Sequence, residues 1–288
     1  LNQFFLYHYR IVSYINILFR NLTFLNYNFS IRTAFGIVFL SIFSAFLSGG
    51  IILGIGLNTE SSQKLYTFFS FIIGQSFMLV PLILFLITKK EPILKSLRLN
   101  LVSFNIIILS IIFSIGLIIL TDAIDRLIQV FIPAPEYIIN LNSLLQPETY
   151  LGYLLLFIAV AIIAPFGEEI LFRGFLQQYL EYHWKDITKA ILITALFFAI
   201  IHMNPFWFIQ IYILGVMLGF LSWKTKSIIP SLILHALNNT LALIFSFVDL
   251  ENDNFYLWNN MVSPWIVIIA LYFIYKGFTE LNKTKTLS

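Results

Sequence analysis

Residues 34 to 57 contain no charged side chain, and the same holds for residues 103 to 121, 206 to 223 and 229 to 248. A run of about 20 apolar residues spans the hydrocarbon core of a bilayer, where only a helix or a closed barrel can satisfy its own backbone. These runs are continuous and do not alternate, so they read as helices. Apolar runs near 34–57, 63–88, 103–121, 149–182, 187–204, 206–223, 229–248 and 262–277 predict an all-α polytopic transmembrane bundle of about eight membrane-spanning helices. Composition agrees: 59% of residues are hydrophobic and 11% charged, against about 25% charged in an ordinary globular domain. Such a chain needs lipid around it.

The first thirty residues mix Phe4, Phe5, Tyr7, Tyr9 and Tyr14 with Arg10 and Arg20, a pattern suited to the headgroup layer. The expected organisation is an interfacial segment over 1–32, three accessory membrane helices over 33–148, a core over 149–248, and a last helix with a basic tail over 249–288. Arg10, Arg20, Arg32, Lys89, Lys90, Lys95 and Arg98 occupy segments expected on the cytoplasmic side, whereas the stretch from Asp122 to Glu148 and the one around Asp249, Glu251 and Asp253 are acidic. Eight crossings then place both termini in the cytoplasm. Gly50 with Gly54, and Gly215 with Gly219, read as small-residue packing pairs. The net charge of +3 is too small and dispersed for nucleic acid, and zero cysteine excludes a thiol nucleophile.

Ionisable groups inside a span cost about 2.5 to 3.5 kcal/mol each on insertion scales, so they mark where function resides. The segment from Tyr150 is almost wholly apolar until Glu168, Glu169 and Arg173. On a helix Glu169 and Arg173 pair at i,i+4, which leaves Glu168 the freer carboxylate and a candidate proton carrier. A charge cluster anchoring a helix end fits these three residues equally well. Two histidines, His202 and His235, also fall in apolar helices. Phe198 precedes His202 by one turn and can wall a site; Asn239 follows His235 by one turn and can hold an oxyanion.

Counting tests the grouping. Glu168 lies 17 residues before Lys185 and His202 lies 17 after it, so a hairpin turning there brings both to one depth, about 25 Å from the turn. His235 comes early in its span, and a regular up-and-down bundle would place it elsewhere.

Glu168 to Arg173 reads EExxxR, Phe198 to His202 reads FxxxH, and His235 to Asn239 reads HxxxN. In this order the chain resembles the CAAX prenyl endopeptidase and bacteriocin-processing family of intramembrane metalloproteases, also called Abi, over about residues 149–248. The resemblance implies a membrane peptidase. Glu168 would activate water, Glu169 and Arg173 would support it, His202 and His235 would hold a metal or place the water, and Asn239 would steady the oxyanion. It also implies a divalent metal, zinc first, on Glu168, His202 and His235, although these lack the compact HExxH spacing. The implied partners are membrane lipid and a peptide or protein substrate, lipidated or membrane-anchored at its C-terminus. Abundant Ile, Phe, Asn and Lys suit an AT-rich genome and a bacterial cell membrane. The same buried groups also fit an ion or proton-coupled transporter, or a family member that binds without cutting.

Overall fold

The computed structural model describes residues 27–57, 63–133, 135, 146–247 and 255–284. The interfacial segment expected over 1–32 lies largely outside these residues. Nine helices are traced among the described residues: α1 Ile31–Leu57, α2 Gln63–Thr88, α3 Ile93–Ser96, α4 Phe104–Phe131, α5 Tyr150–Trp184, α6 Ile187–Ile201, α7 Phe208–Thr225, α8 Ile229–Phe247 and α9 Pro264–Lys283. A two-residue hairpin, β1 Leu257–Trp258 with β2 Met261–Val262, precedes α9. The architecture is a polytopic helical bundle.

Seven of these helices are long and apolar enough to cross a membrane, one fewer than expected. The difference is α6. Its 15 residues span about 22 Å, short of a hydrocarbon core of about 30 Å. The sequence counted on to 204, but the helix stops at Ile201, His202 caps it, and Pro205 lies just beyond.

Local chemistry sets the other boundaries. Ser103, Thr149 and Asp186 each accept a backbone N–H three residues on, opening α4, α5 and α6. Lys185 and Lys226 close α5 and α7 in the left-handed conformation, with φ of 53° and 55°.

Helix α5 is not uniform. Ile158–Ile163 and Ile170–Gln177 are π-helical, and the α-helical turns between them, Ala164–Glu169, carry both glutamates. Pro165 offers no N–H and crowds the carbonyl one turn back, which accounts for a widened helix just before it. Widened turns of this kind concentrate at functional sites.

Alternate helices begin at opposite ends of the bundle. At one end Arg98 pairs with Glu181, Asn100 donates to the Lys226 carbonyl, Gln178 donates to Tyr27, and Lys224 donates to the Asn282 carbonyl. At the other, Lys64 pairs with Glu148 and Tyr256 donates to Asp122. Tyr27 and Asn282 therefore share an end, and Lys185 and Lys226 share it too.

The glycine expectation is half corrected. Among the described residues nothing stands within 4 Å of where a Cβ on Gly50 or Gly54 would be, whereas a Cβ on Gly215 would lie 3.1 Å from Ala195 Cβ and one on Gly219 would lie 2.8 Å from Gln177 Oε1. In α1 the close approach is made by Gly49 instead, against Ser70 of α2.

Candidate active site

Near the middle of the 35-residue α5, Glu168 and Glu169 project from successive positions, share His235 as a neighbour and otherwise meet different partners. Glu169 is completely buried, and its Oε1 accepts from Arg173 Nη1 at 2.9 Å and from His235 Nδ1 at 2.9 Å. Arg173, equally buried, also donates from Nη2 to the Gly215 carbonyl at 3.3 Å, and its guanidinium carbon sits 4.1 Å from the centre of the Phe198 ring. Glu169 and Arg173 thus form a buried ion pair, as the i,i+4 spacing predicts, with Glu169 Oε2 and Arg173 Nε left without a hydrogen-bond partner among the described residues. Gly215 serves it directly, because a residue without a side chain lets α7 bring its carbonyl within reach.

Glu168 is held more loosely. Its Oε1 accepts from Gln75 Nε2 at 3.4 Å, and its Oε2 is buried without a hydrogen-bond partner among the described residues. That Oε2 lies 3.8 Å from His235 Nε2. Since a carboxylate oxygen can only accept, His235 Nδ1 carries the hydrogen toward Glu169, and a neutral ring keeps its lone pair on Nε2, facing Glu168. With the ring neutral both atoms are acceptors and cannot bond each other, and at 3.8 Å one water can donate to both.

His202 stands apart from this pair. Among the described residues it makes no hydrogen bond or ion pair with either glutamate; its Nδ1 donates to the Phe198 carbonyl at 2.7 Å and its ring meets Phe198 edge-on at 4.7 Å. The Phe198 ring also meets His235 at 5.6 Å. The Phe198 ring thus touches both histidines. The depth count favoured His202 over His235, and the contacts are the reverse. Residue number measures depth only between parallel helices of full length, and α6 is short, while α8 packs against both Ile158–Ile163 and Ala164–Glu169 of α5.

Asn239 reaches the site region by another route. Its Nδ2 donates to the Val160 carbonyl at 2.9 Å, fastening α8 to the first π stretch and leaving one N–H of the amide.

The metal expectation does not fit this geometry. Among the described residues no three His, Asp or Glu groups stand close enough together to hold an ion. Glu168 and His235 approach each other, and His202 makes no hydrogen bond or ion pair with either among the described residues.

Sequence reading missed Gln75 and Gln177. Gln75 comes from α2, outside the motif-bearing region; a neutral amide in the run Phe71 to Phe77 was its only signal. Gln177 lies one turn beyond Arg173 and donates to the Gly219 carbonyl at 2.9 Å and to Glu181 at 2.8 Å, extending the polar line along α5.

Comparison with known proteins follows the same stretch of chain. Residues 150–241 match the family described as Type II CAAX prenyl endopeptidase Rce1-like. Two proteins of Lactococcus lactis subsp. lactis (strain IL1403) are similar: UPF0177 protein YaiF, 29% identical over 138 residues, and UPF0177 protein YbdI, 25% identical over 120 residues. The matched stretches are 45% and 41% of this chain, and the chain spans about 61% and 64% of these relatives' own length. No solved structure matches. The EExxxR, FxxxH and HxxxN residues all lie inside the stretch, residues 150–241, that is similar to the Rce1-like family, and that stretch is set in an integral membrane bundle.

Proposed function

We propose that this chain is an integral-membrane endopeptidase that hydrolyses a peptide bond with a water activated by Glu168. The observation that carries the reading is the unpartnered Glu168 Oε2 facing His235 Nε2 at 3.8 Å. A water donating to both acceptors turns its lone pairs outward, toward a peptide carbonyl. Glu168 takes one proton as the oxygen–carbon bond forms, and returns it to the leaving nitrogen as the carbon–nitrogen bond breaks. Gln75 fixes Glu168 from one side, while Glu169 fixes the His235 tautomer and is itself held by Arg173. The remaining N–H of Asn239 is the candidate oxyanion donor, and exposed His202 is a candidate contact for the entering substrate. No step uses a metal. Zinc on Glu168 and His235 would need donors from elsewhere.

Glu168 sits about 27 Å of helix from the start of α5 and about 24 Å from its end, at bilayer depth, which favours a substrate that enters through lipid. A peptide or protein carrying a lipidated or membrane-anchored C-terminus meets that condition. The basic end of the bundle is the cytoplasmic face in this reading, and the membrane a bacterial one.

Purified protein in detergent, offered a library of lipidated and unmodified peptides, tests the proposal. Glu168→Gln is expected to lose about 10² to 10⁴-fold in rate while folding normally. Cleavage unchanged in that variant would remove Glu168 from the chemistry. Glu168-dependent ion flux without cleavage would assign a transporter instead.

A further inference from the structure

A second polar site lies at the far end of α5. The segment around Arg98, the turn at Lys185 and the turn at Lys226 surround a cavity of about 390 Å³ lined by Arg98, Gln178, Glu181, Lys185, Trp223 and Lys226, among others. Its frame is tied across the chain. Asn100 Nδ2 donates to the Lys226 carbonyl at 2.6 Å, Ser227 Oγ to the Asn100 carbonyl at 2.6 Å, and Ile228 N to the Arg98 carbonyl at 3.0 Å.

Charge in this cavity is unbalanced. Arg98, only 3% exposed, spends its guanidinium on Glu181, Gln178 and Ser222, and Glu181 accepts from Gln177 as well. The nearby Asp186 carboxylate turns away to cap α6 at Lys189 N, 3.0 Å distant. Lys185 and Lys226 remain, and among the described residues neither has a carboxylate partner. The Lys226 ammonium lies 5.7 Å from the centre of the Trp223 ring. Burial and the neighbouring Arg98 charge hold Lys226 below the usual lysine range, against the opposing charge of Glu181, and an anion in the cavity would favour its charged form.

We infer that this cavity binds the phosphate of an anionic glycerophospholipid headgroup, with Lys185 and Lys226 as its charge partners. Its place selects a lipid over a soluble phosphate. It opens where the spans α5 and α7 end, beside Trp223, an indole of the kind that settles at headgroup depth. Basic pockets between membrane helices at such an end suit phospholipid headgroups.

Native mass spectrometry of the intact chain in neutral detergent, titrated with phosphatidylglycerol or phosphatidylcholine, is the test. Phosphatidylglycerol should be retained and phosphatidylcholine released. Lys185→Gln with Lys226→Gln should weaken retention about thirtyfold. Lys89→Gln with Lys90→Gln removes two charges from the same end outside the cavity and should leave it unchanged, as should Lys226→Arg. Equal retention by both double variants would overturn the site. Displacement by inorganic phosphate at the lipid's own concentration would overturn the lipid as occupant. If the double variant does not fold, Lys226→Gln against Lys226→Arg carries the same comparison.

Discussion

Glu168 and Glu169 are neighbours in sequence with opposite freedoms. Glu169 is locked by Arg173 and His235, and removing one side of a buried pair strands the other charge. Arg173→Ala is therefore expected to destabilise the protein by about 3 to 5 kcal/mol, read as a lower unfolding temperature in detergent. Gln75→Ala should behave differently. It removes one hydrogen bond to a carboxylate, worth about 1.5 to 3 kcal/mol, and the effect should fall on turnover, roughly 10 to 100-fold, more than on unfolding. Equal losses of stability in the two variants would make Gln75 a packing residue. The pairing of Glu169 with Arg173 was legible because i,i+4 spacing needs no knowledge of the rest of the chain. The contacts of Gln75 and His235 were not, since they join helices 93 and 66 residues apart in sequence.

At the scale of the element, α5 and α7 are joined by side chains of one reaching carbonyls of the other. Arg173 meets the Gly215 carbonyl and Gln177 the Gly219 carbonyl, so each glycine both permits the approach and accepts the bond. A Cβ on Gly219 would stand 2.8 Å from Gln177 Oε1 and 2.9 Å from Ile191 Cγ2. Gly219→Ala should cost about 1 to 3 kcal/mol through overpacking, whereas Gly36→Ala, with open space around its Cβ, should cost nothing measurable by the same melting assay. The spacing of Gly215 and Gly219 announced close packing, but Gly50 and Gly54 carry the same spacing and, among the described residues, nothing stands within 4 Å of where their Cβ would be. A small-residue pair says where helices can approach, and only tertiary structure says which do. The π stretches of α5 left no mark in the apolar pattern, because both widened and ordinary turns are built from the same Ile, Ala and Phe.

For the whole molecule, hydropathy located every long helix among the described residues and misjudged one length, since it counts apolar residues and α6 ends at its cap before the apolar run does. The alternation of helix direction survives that correction, because α6 and α7 leave and return to the same end. The chain has no cysteine, so single cysteines report sidedness without background. Lys89→Cys, Lys185→Cys and Lys224→Cys are expected to label with a membrane-impermeant maleimide from one side of a sealed vesicle, and Glu148→Cys from the other. Labelling of Lys185→Cys together with Glu148→Cys would break the arrangement. The short α6 also bears on the lipid around it. Where α6 and α7 face the bilayer, about 22 and 27 Å of helix stand against about 30 Å of hydrocarbon. Helices shorter than the hydrocarbon core are matched by local thinning of the membrane, at a cost of fractions of a kcal/mol per Å. A dimple at that place would draw headgroups and water down toward the loop that begins at His202, so activity should fall as the protein is reconstituted into bilayers of longer acyl chains.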